Sequence, residues 1–288
     1  YTGLDSNELN MVFQFEHVQL SANPDPRLGK WDDTPVKLTE LKQALSRWQK
    51  ALDGKGWNSL YWNNHDQPRA LNRFIDVKNF RNEGATMLAA AIHLSRGTPY
   101  IYMGEEIGML DPDYDSMADY VDVESLNAYQ ELLAKGKSPA EAFEIIRAKS
   151  RDNSRTPMQW DASANAGFSS GTPWLKAGKS YPEINVEAEK QGQIFPFYQD
   201  LIRLRKRYPI IAEGDYRAAY KDSDKVYAFE RHLGEEKLLV LNNFFAEDVD
   251  LELPQAYQGG EVLISNYDTQ PMTDRITLKP YQTLAIIV

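Results

Sequence analysis

The chain has 288 residues, about two domains at roughly 150 residues each, and 42% of them are hydrophobic, enough to bury a sizeable core. Thirty-two Lys and Arg against 42 Asp and Glu give a formal charge of −10, which argues against nucleic acid or an anionic membrane as partner. No apolar run reaches the ~18 residues of a membrane span, the absence of Cys excludes a disulfide framework, thiol catalysis and Cys-ligated zinc, and four scattered His leave few metal ligands, so neither metal nor cofactor is expected. The chain opens at Tyr1 with no initiator Met and no export-signal pattern, so its start reads as a cut or processed end, and a cytoplasmic location is expected.

In chain order, residues 11–15, 57–62 and 99–102 are short apolar-aromatic runs that end in polar residues and predict buried strands. Between the first two, Leu38, Leu41, Leu45, Trp48 and Leu52 recur at spacings of three and four and predict an amphipathic helix over 38–52. Residues 83–96, closed by Gly97, predict a more fully buried helix carrying Met87, Leu88, Ile92 and Leu94. Strand, helix, strand, helix, strand is the rhythm of a parallel α/β sheet.

From 111 to 174 the pattern breaks into loops and short helices, the clearest at 138–151, where Ser138, Pro139 and Glu141 form a helix-start signature. A long polar insertion after a strand is where α/β enzymes usually build their sites. Residues 195–208 predict another amphipathic helix, closed by Pro209. Alternating patterns then predict strands at 225–232, 237–244, 249–253, 261–265 and 275–288. A boundary is expected near 210, with an antiparallel β-sandwich domain over 211–288.

Four clusters could carry chemistry. The run Asn63-Asn-His65-Asp66-Gln67-Pro-Arg69 falls at a predicted strand end, where parallel sheets hold ligands, although a polar turn capped by Asp66 and stopped by Pro68 has the same composition. Glu105 and Glu106 follow the third strand and suggest an acid/base pair; adjacent carboxylates on one strand point to opposite faces, which favours a structural role. Asp111-Pro-Asp-Tyr-Asp115 resembles the opening of an EF-hand loop, but Ser116 occupies the position that needs Gly and no Glu closes the loop, which reads better as a solvated acidic segment. The run 151–160 gathers Arg151, Asp152, Arg155 and Trp160, groups suited either to bracing a loop or to meeting sugar hydroxyls and sugar faces.

Six runs then stand in a telling order: Phe13-Gln-Phe-Glu-His17, Trp62-Asn-Asn-His-Asp-Gln-Pro-Arg69, Gly97-Thr-Pro-Tyr-Ile-Tyr102, Gly104-Glu-Glu-Ile-Gly-Met109, Asp122-Val-Glu-Ser-Leu-Asn127 and Arg151-Asp-Asn-Ser-Arg-Thr-Pro-Met-Gln-Trp160. Together they resemble the α-amylase superfamily of glycoside hydrolases, in particular its oligo-1,6-glucosidase, dextran-glucosidase and α-glucosidase branch. The resemblance implies the last three strands of a (β/α)8 barrel over residues 1–210, followed by the antiparallel β-domain. It also implies that the nucleophile Asp and acid/base Glu, on the fourth and fifth barrel strands of such enzymes, are not among these residues.

By the same resemblance, Asp66 matches the third catalytic carboxylate and His65 the histidine beside it. Arg151 matches an arginine at the same glucose, and Lys30 and Glu124 match residues holding the second sugar. Glu16 and His17 match a strand-end pair near the acid/base, and Gln67 and Arg69 complete the substrate-binding set. Glu105 and Glu106 match a supporting pair. Ile75 replaces a usual Gly and Met103 a usual Gln, which bears on substrate preference. The implied activity is that of a retaining exo-α-glucosidase on short α-1,6 or α-1,4 glucosides, with this chain inactive alone and in need of the missing barrel half or of self-association. A trehalose-6-phosphate hydrolase or a non-catalytic sugar-binding relative are the alternatives, the last disfavoured because an unused site has no need to keep His65, Asp66, Arg151, Lys30 and Glu124 together.

Overall fold

The computed structural model describes residues 2–5, 7–20, 22 and 25–288. Three parallel extended segments lie side by side in chain order. Val12 bridges to Asn58, and β1 (Ser59–Leu60) pairs with β2 (Thr98–Pro99) through Ser59↔Thr98 and Leu60↔Pro99. Helix α1 (Leu38–Ala51) connects the first two segments, and α2 (Ala70–Phe74) with α3 (Val77–His93) connects the second two. The predicted strands are shorter than expected and their ends are not buried. Phe13, Phe15, Tyr100, Ile101 and Met103 are exposed, because no further strand pairs with either flank among the described residues.

Helix α3 turns a nearly continuous apolar face inward, with Met87, Ala90 and Leu94 fully buried. Gly97 then lets the chain enter β2: its φ is +139°, and a Cβ there would lie 2.6 Å from the Asn58 carbonyl of the neighbouring segment. After β2 comes the insertion, with α4 (Val123–Ala134) and α5 (Pro139–Lys149) packed around Tyr114, Tyr120, Leu132 and Ile146. The predicted capping box opens α5: Ser138 Oγ accepts from the Glu141 amide, and the Glu141 carboxylate accepts from the Ser138 amide at 2.9 Å. A short α6 (Val186–Glu189) precedes α7 (Ile194–Arg207), which lies against α3, and α8 (Ile210–Glu213) ends this part.

The remainder is antiparallel. A five-stranded sheet has the order β3-β4-β5-β9-β7, built from β3 (Asp215–Ala219), β4 (Val226–Leu233), β5 (Glu236–Asn243), β7 (Glu261–Ser265) and β9 (Thr283–Ile287). A second pair joins β6 (Val249–Glu252) to β8 (Arg275–Leu278). Alternation along the strands feeds two cores: Tyr227, Phe229, Leu238 and Val240 join the core of α3 and α7, whereas Val226, Ala228, Leu239 and Leu241 pack with Leu253, Ile276 and Leu278. Two expectations need correction. Strand β3 is unexpected, since Asp215, Ala218 and Ala219 are residues depleted in strands, and the single strand expected over 275–288 is two, since Pro280 and Tyr281, at φ +51°, turn the chain from one sheet to the other.

Candidate active site

Directly after β1, asparagine side chains fold the 63–69 loop onto its own backbone. Asn63 Oδ1 accepts from the Ala70 amide at 2.5 Å, and Asn64 Oδ1 accepts from the Asp66 amide at 2.8 Å. This presents His65 and Asp66 outward, with Asp66 Oδ2 3.3 Å from His65 Nε2.

A second segment comes from the end of α5. Ser150 caps a 3-10 turn over Arg151–Ser154, and the buried Asp152 carboxylate accepts from the amides of Val121 and Asp122 at 2.9 and 3.0 Å. That fixes Asp122 at the start of α4, where its carboxylate receives Arg151 Nη2 at 2.7 Å. Arg151 also lies 3.6 Å from Asp66 Oδ1 and 3.6 Å from Glu124 Oε2, and Glu124 pairs with Lys30 at 3.1 Å. Arg155 takes Asp66 Oδ1 at 2.8 Å.

These charges shape one another. The hydrogen bond to Asp122 raises the Arg151 guanidinium, against burial and with help from the Asp122, Glu124 and Asp66 charges. Burial pushes the Asp122 carboxyl up, yet the Arg151 hydrogen bond and charge outweigh it, so the group stays below the usual carboxylate range. Asp66, Gln67, Lys30, Glu124 and Arg151 line one cavity of about 540 Å³. A larger groove of about 700 Å³ adjoins it across Arg73 and Lys149 and is lined by Asp32, Asp33, Asp113, Glu141 and Glu144.

The structure thus brings together Lys30, His65, Asp66, Gln67, Glu124 and Arg151, although Gln67 takes part through its carbonyl too, which accepts from Ser154 Oγ at 2.5 Å. It does not bring Glu16, His17 or Arg69 to that cavity. The Glu16 carboxylate turns to α1, receiving Arg47 Nη1 at 2.5 Å and Trp48 Nε1 at 3.0 Å. His17 is buried edge-on against Tyr61 and Trp62, hydrogen-bonded to Gln14 at 2.7 Å, and burial holds it down at about 4.

Arg69 is 1% exposed and braces the loop from below: its amide donates to Asp111 Oδ1 at 2.9 Å and its Nη1 to the Met103 carbonyl at 3.0 Å. Around it, burial raises Glu105 and Asp111 to about 7 each. Glu105 receives Asn63 Nδ2 at 2.5 Å and so supports the loop, whereas Glu106 accepts from the Gly104 amide of its own turn at 2.9 Å. The acidic 111–115 segment is held by cations, Asp113 by Arg147 and Lys179 and Asp115 by Lys179.

Sequence reasoning pointed to Asp152 and Arg155 only as members of the 151–160 run and assigned no role to Asp122. Their signal is weak because each acts across about 30 or more residues of chain. The two arginines and the Asp of one loop run were visible, but not which carboxylate each would meet.

Three parallel segments carry charged and amide side chains beyond their ends and are accompanied by an antiparallel sheet. Residues 1–214 match the alpha amylase catalytic domain, and residues 226–285 match the alpha-amylase SusG C-terminal domain. The chain belongs to the alpha-amylase family.

An oligo-1,6-glucosidase of Parageobacillus thermoglucosidasius is 48% identical across 98% of this chain, and the trehalose-6-phosphate hydrolase of Bacillus subtilis strain 168 is 44% identical across 99%. A solved variant of the Bacillus licheniformis trehalose-6-phosphate hydrolase superposes on the whole chain with a TM-score of 0.93 at 45% identity, covering 53% of that protein. The chain spans about half the length of the curated relatives it matches, 51% for each of the two named here.

Proposed function

We propose that these residues form the carboxyl-terminal part of a retaining exo-α-glucosidase that hydrolyses short α-1,6 or α-1,4 glucosides. Residues 1–210 contribute to its barrel and 211–288 form the accompanying β-sandwich domain. The observation that carries the reading is the Asp66 carboxylate, held between His65, Arg151 and Arg155 beside the Lys30–Glu124 pair. Asp66 accepts hydrogen bonds from sugar hydroxyls next to the reacting carbon, with His65 and Arg151 beside it. Lys30 and Glu124 hold the second sugar.

The intact enzyme forms a glucosyl ester on its nucleophile and hydrolyses it with its acid/base, two carboxyl groups about 5–5.5 Å apart, and both come from outside these residues. This chain alone therefore cleaves nothing. Glucose release by a pure preparation of these residues is the result that contradicts this point. The protein works in the cytoplasm, with the rest of the barrel or a second copy covering its open edge.

A second reading, hydrolysis of trehalose-6-phosphate, is favoured by the cationic character of the same cavity, where Lys30, Arg73, Lys149 and Arg151 stand against Asp66 and Glu124. Glucose release by the full-length protein from isomaltose, maltose and trehalose-6-phosphate separates the two. Preference for isomaltose supports the first, and an absolute need for the phosphate supports the second.

A further inference from the structure

We propose that Arg155 is a positioning residue for the glycosidase reaction: its guanidinium sets the angle at which the Asp66 carboxylate enters the cavity. The proposal rests on the glucosidase reading above.

Two nitrogens of one planar fork meet two different groups on consecutive residues. Nε donates to the His65 carbonyl at 2.7 Å, and Nη2 donates to Asp66 Oδ1 at 2.8 Å. The backbone contact fixes the plane of the fork, and the fork then fixes the carboxylate, a geometry that a single ammonium cannot reproduce.

The root of Arg155 is anchored as well. Ser154 Oγ donates to the Gln67 carbonyl at 2.5 Å, and Tyr102 Oη, just beyond β2, donates to the Ser154 carbonyl at 2.9 Å. Residues 65, 66 and 67 are thus each stitched to the 154–155 turn, which joins the ends of two barrel strands to the insertion.

Arg151 does not duplicate this role. Its shortest bond goes to Asp122, and it stays 3.6 Å from Asp66. The Asp66 side chain is 46% exposed. An ion pair that open to water adds little stability, so what the contact supplies is direction. With Oδ1 held by Arg155, Oδ2 beside His65 Nε2 is the oxygen left to meet a sugar hydroxyl.

The test uses the full-length enzyme containing these residues, comparing wild type with Arg155→Lys and Arg155→Ala. The readouts are kcat and KM on isomaltose, affinity for glucose and for the cationic iminosugar 1-deoxynojirimycin, and thermal unfolding. A misdirected carboxylate lowers transition-state binding more than ground-state binding. Arg155→Ala is therefore expected to lower kcat by ~100-fold and weaken iminosugar binding in proportion, with KM and glucose affinity within about threefold. Arg155→Lys is expected to keep the wild-type unfolding temperature yet lose roughly tenfold in kcat.

Wild-type kcat and iminosugar affinity in Arg155→Lys overturn the proposal. So does a loss in either variant that follows the folded fraction alone. If Arg155→Ala does not fold, Arg155→Lys and Arg155→Gln give the same reading. A wild-type enzyme that releases glucose from no α-glucoside overturns the glucosidase reading itself, whereas active wild type with indistinguishable variants overturns only the role of Arg155.

Discussion

Ile75, which closes α2, stands where the family resemblance implies Gly, and the structure gives it a packing task. It is buried against α3, where a Cβ on Gly84 would fall 2.3 Å from Ile75 Cγ2. The larger side chain fits because its neighbour has none. Gly84→Ala is expected to cost ~2 kcal/mol by overpacking, and Ile75→Ala, which removes both γ carbons, to recover part of it in the double variant; a double-variant loss equal to the sum of the two single losses, by denaturant unfolding, would contradict that coupling.

Asp122 is the other decisive residue, 4% exposed at its side chain and holding Arg151 at 2.7 Å. Asp122→Ala removes the nearest partner of the guanidinium and leaves only the longer contacts to Asp66 and Glu124, with an expected loss of ~2 kcal/mol and a higher KM in the full-length enzyme.

Burial, against the Asn63 hydrogen bond and the Arg69 charge, lifts Glu105 to about 7 from its ordinary 4.5. A carboxyl raised by folding binds its proton more tightly when folded, so its contribution is complete below the ordinary value and is lost as pH rises through about 7. Glu105→Gln is thus expected to match the wild type near pH 4.5 and to be more stable above pH 7 by ~1–2 kcal/mol. A difference that does not change with pH rules this out. In the sequence, His65 and Asp66 were legible because their run is local, whereas the burial of Arg69 and the turning of Glu16 toward α1 depend on packing that no short pattern encodes.

At the level of elements, the clearest local rules held. The Ser138 capping box forms as expected, and Ser138→Ala should cost ~1 kcal/mol without touching the Asp66 cavity. Gly97 does more for the site, because it lets Asn58 and Thr98 bond at 2.8 Å at the base of the strand pair. A methyl group there meets the Asn58 carbonyl at 2.6 Å and the backbone cannot yield cheaply, so Gly97→Ala is expected to cost ~2 kcal/mol and to loosen His65 and Asp66. Helix periods α1, α3 and α7 were read within a few residues, α3 excepted at its start, where a kink at Phe80 joins two helical pieces. The barrel strands were overextended and β3 was missed, since strand length is set by neighbours rather than by the run of apolar residues.

Across the whole molecule, Phe13 and Phe15 on one outer parallel segment and Tyr100, Ile101 and Met103 after the other are exposed. Phe13 meets the ring of Tyr61 edge-on and that of Tyr100 at a tilt, with centroids 5.3 and 4.7 Å away, and it remains 45% exposed. Such exposed apolar side chains promote association. Light scattering on the chain alone is expected to show self-association that is suppressed when the remaining barrel half is supplied, and a monodisperse monomer would argue against it. The general architecture was legible because six ordered motifs share one fold, but the course of each carboxylate to its cation emerges only when distant segments meet.

The most direct measurement is glucose release from isomaltose by the full-length enzyme, wild type beside Asp66→Asn, with the anomeric form of the product followed by NMR. Release of α-glucose by the wild type and a loss of at least ~100-fold in kcat in the variant are expected. Release of β-glucose, or an Asp66→Asn variant as active as the wild type, would contradict the placing of Asp66 at the centre of a retaining α-glucosidase site.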